Sequence, residues 1–353
     1  MDVSFNHIVE LLKSLIRNPS FSKEEEATAD VLESFLKFRA LKINRKDNNI
    51  WVRNKYFDSA KQTILLNSHH DTVRPRPDWT MDPFNPVMEG DKLYGLGSND
   101  AGAALVSLIA VFLNYYDIKK LNYNLILLAS AEEEVSGMNG VESVLDHLGK
   151  LDFGIIGEPT GMQMAIAEKG LMVLDCLAKG KSGHAAKDSG ENAIYIAMED
   201  MYWIKNYRFS LVSEVLGPVK MTATMIESGS QHNVIPDLCK FVVDVRNTDS
   251  YSNEEVLQII RDSLKSEVIA RSTRLQPSAI VEDHILVKTA KSLGINTFGS
   301  DTLSDQALMK FPTVKMGPGD SLRSHTADEY IYLNEIREGI EIYKRVLDKI
   351  ICS

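Results

Sequence analysis

Apolar residues recur at helical spacing from the start of the chain, first Ile8, Leu11, Leu12, Leu15 and Ile16, then, after the Asn18-Pro19-Ser20 break, Ala27, Val31, Leu32, Phe35 and Leu36. The pattern predicts two amphipathic helices, each turning one stripe towards a core. Short uninterrupted apolar runs follow at 63–66, 125–129, 153–157 and 313–316, interleaved with helical stretches such as 103–114. Such runs have the length and texture of buried strands, and their alternation with helices predicts an α/β layer: a mostly parallel sheet flanked by helices. Between about Glu168 and Ser278 the texture changes, with strand-like 171–177, 220–226 and 240–246 around helix-like 192–205 and 253–266. This reads as a small α+β unit. Because the parallel-sheet texture resumes at about Ala279, residues 168–278 are expected as an insertion into a domain made of 1–167 and 279–353.

The length of 353 residues agrees, since domains run roughly 100–200 residues and about two are expected. A composition of 44% hydrophobic and 25% charged residues is that of a soluble globular chain and excludes collagen, coiled coil and extended disorder. The net charge of −10 should repel phosphate backbones and anionic membrane surfaces, so neither nucleic acid nor a membrane is an expected partner. The first residues carry no basic run ahead of an apolar stretch, and apolar segments such as 125–131 are far shorter than the roughly 20 residues of a bilayer span. A cytoplasmic protein is expected. Cys176, Cys239 and Cys352 are odd in number and widely spaced, which indicates neither a disulfide framework nor a cysteine zinc site.

The acidic residues and histidines change the picture. Each of the four candidate strands stops at such a cluster: His69-His70-Asp71, Glu132-Glu133-Glu134, Glu158-Pro159-Thr160, and Gly317-Pro318-Gly319-Asp320 with His325. Open α/β sheets bind ligands at the carboxyl ends of their strands, so these clusters should converge on one edge. Carboxylates crowded at low dielectric repel and must protonate unless a cation sits among them. Histidine with Asp and Glu but no Cys suits zinc, with cobalt or manganese as substitutes, and the surplus of carboxylates suggests two ions sharing one. In His69-x-Asp71 the carboxylate is placed to hold the imidazole's other N–H. Asp100, in the Gly-rich turn Gly95-Leu96-Gly97-Ser98-Asn99-Asp100-Ala101-Gly102, reads from this segment alone as the N-cap of the apolar helix that follows rather than as a ligand. The Gly-x-Gly start lacks a complete dinucleotide fingerprint. Ser182-Gly183-His184, within the insertion, looks like a turn presenting an imidazole.

In this order the motifs resemble the di-zinc amidohydrolases that include acetylornithine deacetylase, succinyl-diaminopimelate desuccinylase, acetyl-lysine deacetylase and glutamate carboxypeptidase. Family members read His-x-Asp, Gly-x-Gly-x-x-Asp, Asp/Glu-Glu-Glu, Gly-Glu-Pro-Thr/Ser, Gly-His-Ala/Ser and a C-terminal His-x-x-x-Glu, and all six occur here across nearly the whole chain. The resemblance implies a zinc-exopeptidase-like fold with an inserted lid and dimerisation domain. It implies His69, Asp100, Glu134, Glu158 and His325 as ligands of two zinc ions, with Asp100 bridging. It makes Asp71 the orienter of His69, and Glu133 the general base that moves a proton from water to the leaving amine. His184 would donate to the oxyanion, and Asn233 and Arg246 would bind substrate, Arg246 by a two-pronged grip on an α-carboxylate. Glu132 is expected to support the site, and His232, beside Asn233, is an additional candidate. Leu96 and Gly102 depart from the family's Arg and Lys. Spacing to Asp71 favours His69 over His70 as the ligand.

The expected activity is hydrolysis of an Nα-acyl amino acid, N-acetylornithine first, giving ornithine for arginine synthesis; N-succinylornithine, acetyl-lysine, acetylcitrulline or a dipeptide are the alternatives. A succinyl carboxylate would want a cationic reader, for which Lys169 and Arg323 are the candidates. The partner expected beyond the small substrate is a second copy of the chain. A binding protein that lost the chemistry, or a dinucleotide-dependent oxidoreductase, are the rivals from other classes.

Overall fold

The computed structural model describes residues 4–187 and 189–352. The chain divides into two compact units, one of Met1–Ile166, Ile280–Phe298 and Ser304–Ser353, the other of Ala167–Ala279 with Gly299–Leu303.

In the first unit both N-terminal amphipathic patterns are helices. Phe5–Ile16 buries Ile8, Leu11, Leu12, Leu15 and Ile16, and Glu26–Lys37 buries Ala29, Leu32 and Leu36. The Ala103–Tyr115 helix is apolar on nearly every side, as a helix must be when it is enclosed, and it packs against the Leu333–Ile351 helix. The sheet runs in the order Ile43–Lys46, Asn49–Arg53, Asn124–Ser130, Thr63–His69, Phe153–Ile156, Thr313–Lys315, Met164–Glu168. Its four central strands, the four apolar runs of the sequence, are mutually parallel. Asn49–Arg53 and Met164–Glu168 pair antiparallel on either side, so the whole sheet is mixed.

Thr63–His69 and Asn124–Ser130 are buried along their whole length because both faces of the sheet are covered. Alternation sends Ile64 and Leu66 into the core shared with the helices, and Leu65, Ile126, Leu128 and Ile156 into a second core with Trp51 and Val141. The register sets His69 beside Ser130 and Asn67 beside Ile156, so the chemistry-bearing segments leave the sheet at one edge.

The second unit holds an antiparallel sheet in the order Lys220–Ser228, Leu238–Asn247, Gly170–Lys179, Glu267–Ala270. Residues along Gly170–Lys179 alternate between buried and half-buried, the period-two signature of a sheet covered on one face. The covering comes from the helices Ala193–Asn206, capped by Asn192, and Asn253–Ser263, opened by a Ser252–Glu255 capping box. The helix expected over 253–266 stops at Ser263. There the Asp200 carboxylate accepts from the backbone N–H groups of Lys265 and Ser266, which draws the chain out of the helix. Among the described residues no helix is long and apolar enough to cross a membrane.

Candidate metal centre

Within the first unit, the ends of three parallel strands and two loops bring together His69, Asp100, Glu133, Glu134, Glu158 and His325. His69 closes its strand and is 1% exposed. Its Nε2 lies 3.3 Å from Asp100 Oδ1, 3.7 Å from Glu158 Oε1 and 3.9 Å from Glu133 Oε2. Its Nδ1 is held at 2.9 Å by the backbone carbonyl of Asp71, closer than the 3.4 Å to that residue's carboxylate. The Asp71 carboxylate also accepts from the backbone N–H groups of Glu133 and Glu134 at 3.0 and 3.1 Å and from Ser22 Oγ at 2.6 Å. One side chain thus ties the turn carrying two acidic groups to the loop after His69.

His70 points elsewhere. Its ring nitrogens meet Thr28 Oγ1 and the Asn48 carbonyl, each at 2.9 Å, and burial lowers it to about 4, a neutral core histidine. Glu132, at φ 55°, turns back to accept from Asn139 N and Nδ2, outside the cluster.

Asp100 does not cap the apolar helix: Ala103–Tyr115 has no side-chain cap, and Asp100 has non-helical backbone angles. Its loop is fixed from behind by Glu329, whose buried carboxylate accepts from the N–H groups of Gly97, Asn99 and Asp100 at 3.3, 2.8 and 3.0 Å. Leu96 and Gly102, the two departures from the family pattern, line a cavity of about 20 Å³ beside Asp71 and Asp100. On the far side, His325 Nε2 reaches Glu134 Oε2 at 2.9 Å and Asp100 Oδ2 at 3.6 Å. His325 sits at φ 58°, in the left-handed region that side-chain-bearing residues seldom occupy. Its turn is pinned by Asp328, which accepts from Thr80 N, Thr80 Oγ1 and Met81 N.

Two trios of ligand atoms stand within 4.8 Å of one another, His69 with Asp100 and Glu134, and His69 with Glu133 and Glu158. The electrostatics say what the donor set wants. Burial, aided by repulsion from neighbouring carboxylates, raises Glu133 and Glu134 and pushes Glu158 up to about 8. His69 is raised despite its burial, by Glu133, Asp100, Asp71 and Glu158, and the hydrogen bond to Glu134 lifts His325 to about 9. The proton affinity of each of these groups is raised, which marks a deficit of positive charge that a dication relieves. The donors, imidazole and carboxylate without sulfur, fit zinc or a similar divalent ion.

The other expected residues lie in the second unit. His184 belongs to a short strand paired with Val234–Ile235, exposed, its Nδ1 accepting from Ala186 N. Asn233, also exposed, adjoins it, its carbonyl accepting from Ala185 N. Arg246 is half-buried on Leu238–Asn247, where its fork is taken by Asp244 at 2.9 and 3.2 Å. His232 is exposed. Lys169 pairs with Asp301 at 2.7 Å, and in the first unit Arg323 pairs two-pronged with Glu335 at 2.7 and 2.8 Å. Two buried acids of the first unit, Glu329 and Asp305, carry no expectation from the sequence. Glu329 was within reach as the last residue of His-x-x-x-Glu; Asp305 follows no motif.

A family model described as peptidase family M20/M25/M40 matches residues 65–349. The chain is 26% identical over 379 residues to an acetylornithine deacetylase of Proteus mirabilis, covering 99% of this chain and 98% of that one. It is 25% identical over 374 residues to a succinyl-diaminopimelate desuccinylase of Dinoroseobacter shibae, covering 96% and 98%. Among solved structures, a Staphylococcus aureus tripeptidase superposes with a TM-score of 0.79 at 19% identity over 99% of both chains. A dinuclear metal-binding peptidase of the M20 family from Bacillus subtilis gives 0.73 at 14% identity over 98% of both. At these identities the structural likeness speaks for the fold.

Proposed function

The chain belongs to peptidase family M20/M25/M40 and is a metallohydrolase of that family, and from this premise we propose that it hydrolyses the amide of an Nα-acyl amino acid, with N-acetylornithine as the leading substrate. The observation that carries the reading is the gathering of His69, Asp100, Glu133, Glu134, Glu158 and His325 at one sheet edge, each with a raised proton affinity except Asp100, which His69 holds below its ordinary value despite burial. His69, Asp100, Glu134, Glu158 and His325 would hold two divalent ions, zinc by the chemistry of the donors, with Asp100 shared between them. Ions bound there would acidify water and polarise the substrate carbonyl.

The chain's own groups do the rest. Glu133, half-buried within the cluster but outside the five proposed ligands, takes a proton from the attacking water and returns it to the departing amine. Asp71 keeps His69 and the Glu133–Glu134 turn in fixed relation. His184 is proposed as the hydrogen-bond donor to the oxyanion, Asn233 as a substrate-reading group, and Arg246 as one that exchanges its Asp244 partner for the substrate α-carboxylate. Both cations considered for a succinyl carboxylate are already paired, Lys169 with Asp301 and Arg323 with Glu335, which favours the uncharged acetyl group.

A homodimer through the second unit is proposed on its exposed apolar surface. Tyr195, Met198 and Tyr202 follow at i, i+3 and i+7 on the Ala193–Asn206 helix, and Met225 and Ile226 are exposed on the edge strand Lys220–Ser228, which packs against that helix. A cytoplasmic location completes the proposal.

Steady-state hydrolysis of N-acetylornithine and N-succinylornithine by one zinc-replete preparation tests the substrate. The acetyl compound is expected to have at least about tenfold higher kcat/KM, since neither Lys169 nor Arg323 is left unpaired to receive a second carboxylate. A preference for the succinyl compound, or turnover of neither, overturns the assignment.

A further inference from the structure

Beneath the candidate metal centre lies a carboxylate that the proposed reaction does not use. Asp305 opens the short helical turn Asp305–Leu308 and is 4% exposed. Its Oδ2 accepts two hydrogen bonds, from Ser130 Oγ at 2.6 Å and Asn67 Nδ2 at 2.8 Å, although 175 and 238 positions of sequence separate these partners from it. Ser130 and Asn67 lie on the two adjacent central strands, Ser130 opposite His69 and Asn67 opposite Leu128. Alternation puts Asn67 and His69 on one face, above Leu65, Ile126 and Leu128 of the second core. Asp305 therefore bridges the top row of one strand to the next row down on its neighbour, where apolar core gives way to the acidic cluster.

We propose that Asp305 is a positioning residue for the metal centre, a clamp that fixes the offset between the strand end carrying His69 and the strand end leading to Glu133 and Glu134. The inference rests on the metallohydrolase reading of that cluster. After Ser130 the chain leaves the sheet, so the backbone ladder no longer determines where Glu133 and Glu134 stand. Asp71 ties their turn from the loop side through two backbone N–H groups. Asp305 supplies the complementary tie from below, anchored by Met309 and Leu308 in the second core. Packing alone does not account for it: a carboxylate buried among other carboxylates is costly, and an apolar side chain would fill that place above Leu65 and Leu128 at less expense. A polar group that orients ligand-bearing elements from behind commonly governs metal affinity by about 10–100-fold.

Zinc affinity, read by competition with a chromophoric chelator, tests the proposal without needing the substrate, alongside the melting temperature of each metal-free variant. Asp305→Ala is expected to bind zinc at least about tenfold more weakly than wild type. Asp305→Asn, whose Oδ1 still accepts from Ser130 and Asn67, is expected within about threefold of wild type, a rescue that a requirement for charge alone would not give. An Ala variant with wild-type affinity, or an Asn variant as weak as the Ala variant, overturns the proposal. If Asp305→Ala does not fold, Ser130→Ala removes one arm of the clamp, and unchanged affinity there overturns it equally. Wild-type protein that binds no zinc defeats the metallohydrolase site and the clamp together; wild-type binding with indifferent variants defeats the clamp only.

Discussion

At the scale of single residues, protons stand in for missing positive charge. In the metal-free protein Glu158, near 8, and His325, near 9, bind a proton more tightly folded than unfolded. Groups raised on folding contribute stability that is whole below their unfolded pKa, about 4.3 for Glu and 6.5 for His, and is lost as pH climbs through the folded value. This contribution therefore drains away between about pH 4.5 and pH 9, while a dication that displaces the same protons binds better as pH rises. The melting-temperature gap between zinc-loaded and metal-free protein is expected to widen from pH 5 to pH 8, as followed by calorimetry. A gap that stays level or narrows would contradict the cluster as a metal site. Glu133→Ala is expected to lower kcat by about 10²–10⁴-fold with bound metal unchanged, because the group moves protons and is not a proposed ligand. Retained turnover would remove Glu133 from its role.

Among these residues, those at the ends of apolar runs were readable from the chain, because a buried strand stopping at charge is a local pattern. Spacing to Asp71 favoured His69 over His70 as the ligand, and in the structure the His70 ring is held by Thr28 and Asn48 while His69 Nε2 faces the acidic groups. Asp305 was not readable, since its meaning lies in contacts with Asn67 and Ser130 that only the folded sheet creates.

At the scale of elements, the four central strands and the helices of the N-terminus, of 103–115 and of the second unit were legible because full burial writes an uninterrupted apolar run and half burial a periodic one, whereas Leu333–Ile351, the longest helix, and Ile285–Ser292 were not among the elements expected. Among the strands that escaped, Ile43–Lys46, Asn49–Arg53, Met164–Glu168 and Glu267–Ala270 are short, and Ile43–Lys46 is only half-buried along its length, so packing sets it more than pattern does. The loop carrying Asp100 shows how a departure from the family can be structural. A Cβ on Gly102 would stand 2.4 Å from the Gly97 carbonyl oxygen and 2.7 Å from Leu12 Cδ1, a clash involving backbone that a side-chain adjustment cannot relieve. Gly102→Ala is expected to destabilise the protein by about 1–3 kcal/mol in denaturant unfolding. A neutral result would mean that the loop can shift without cost. On the second unit, Tyr202→Glu is expected to convert a dimer to a monomer in sedimentation velocity, since the substitution puts charge into the exposed apolar stripe. Wild-type protein sedimenting as a monomer would contradict the dimer.

At the scale of the whole molecule, the candidate acidic and imidazole groups gather in the first unit, while the proposed oxyanion and substrate-reading residues His184, Asn233 and Arg246 belong to the second. Under the proposed roles the candidate metal ligands, carried by five of the six ordered motifs, and the substrate-reading groups are divided along the chain, and the substrate is left to experiment. The most direct test of the account is the metal content of metal-replete protein by elemental analysis, wild type beside His69→Ala. The account predicts about two zinc ions per wild-type chain and a clear loss in the variant. Wild-type protein without bound metal under those conditions would contradict it.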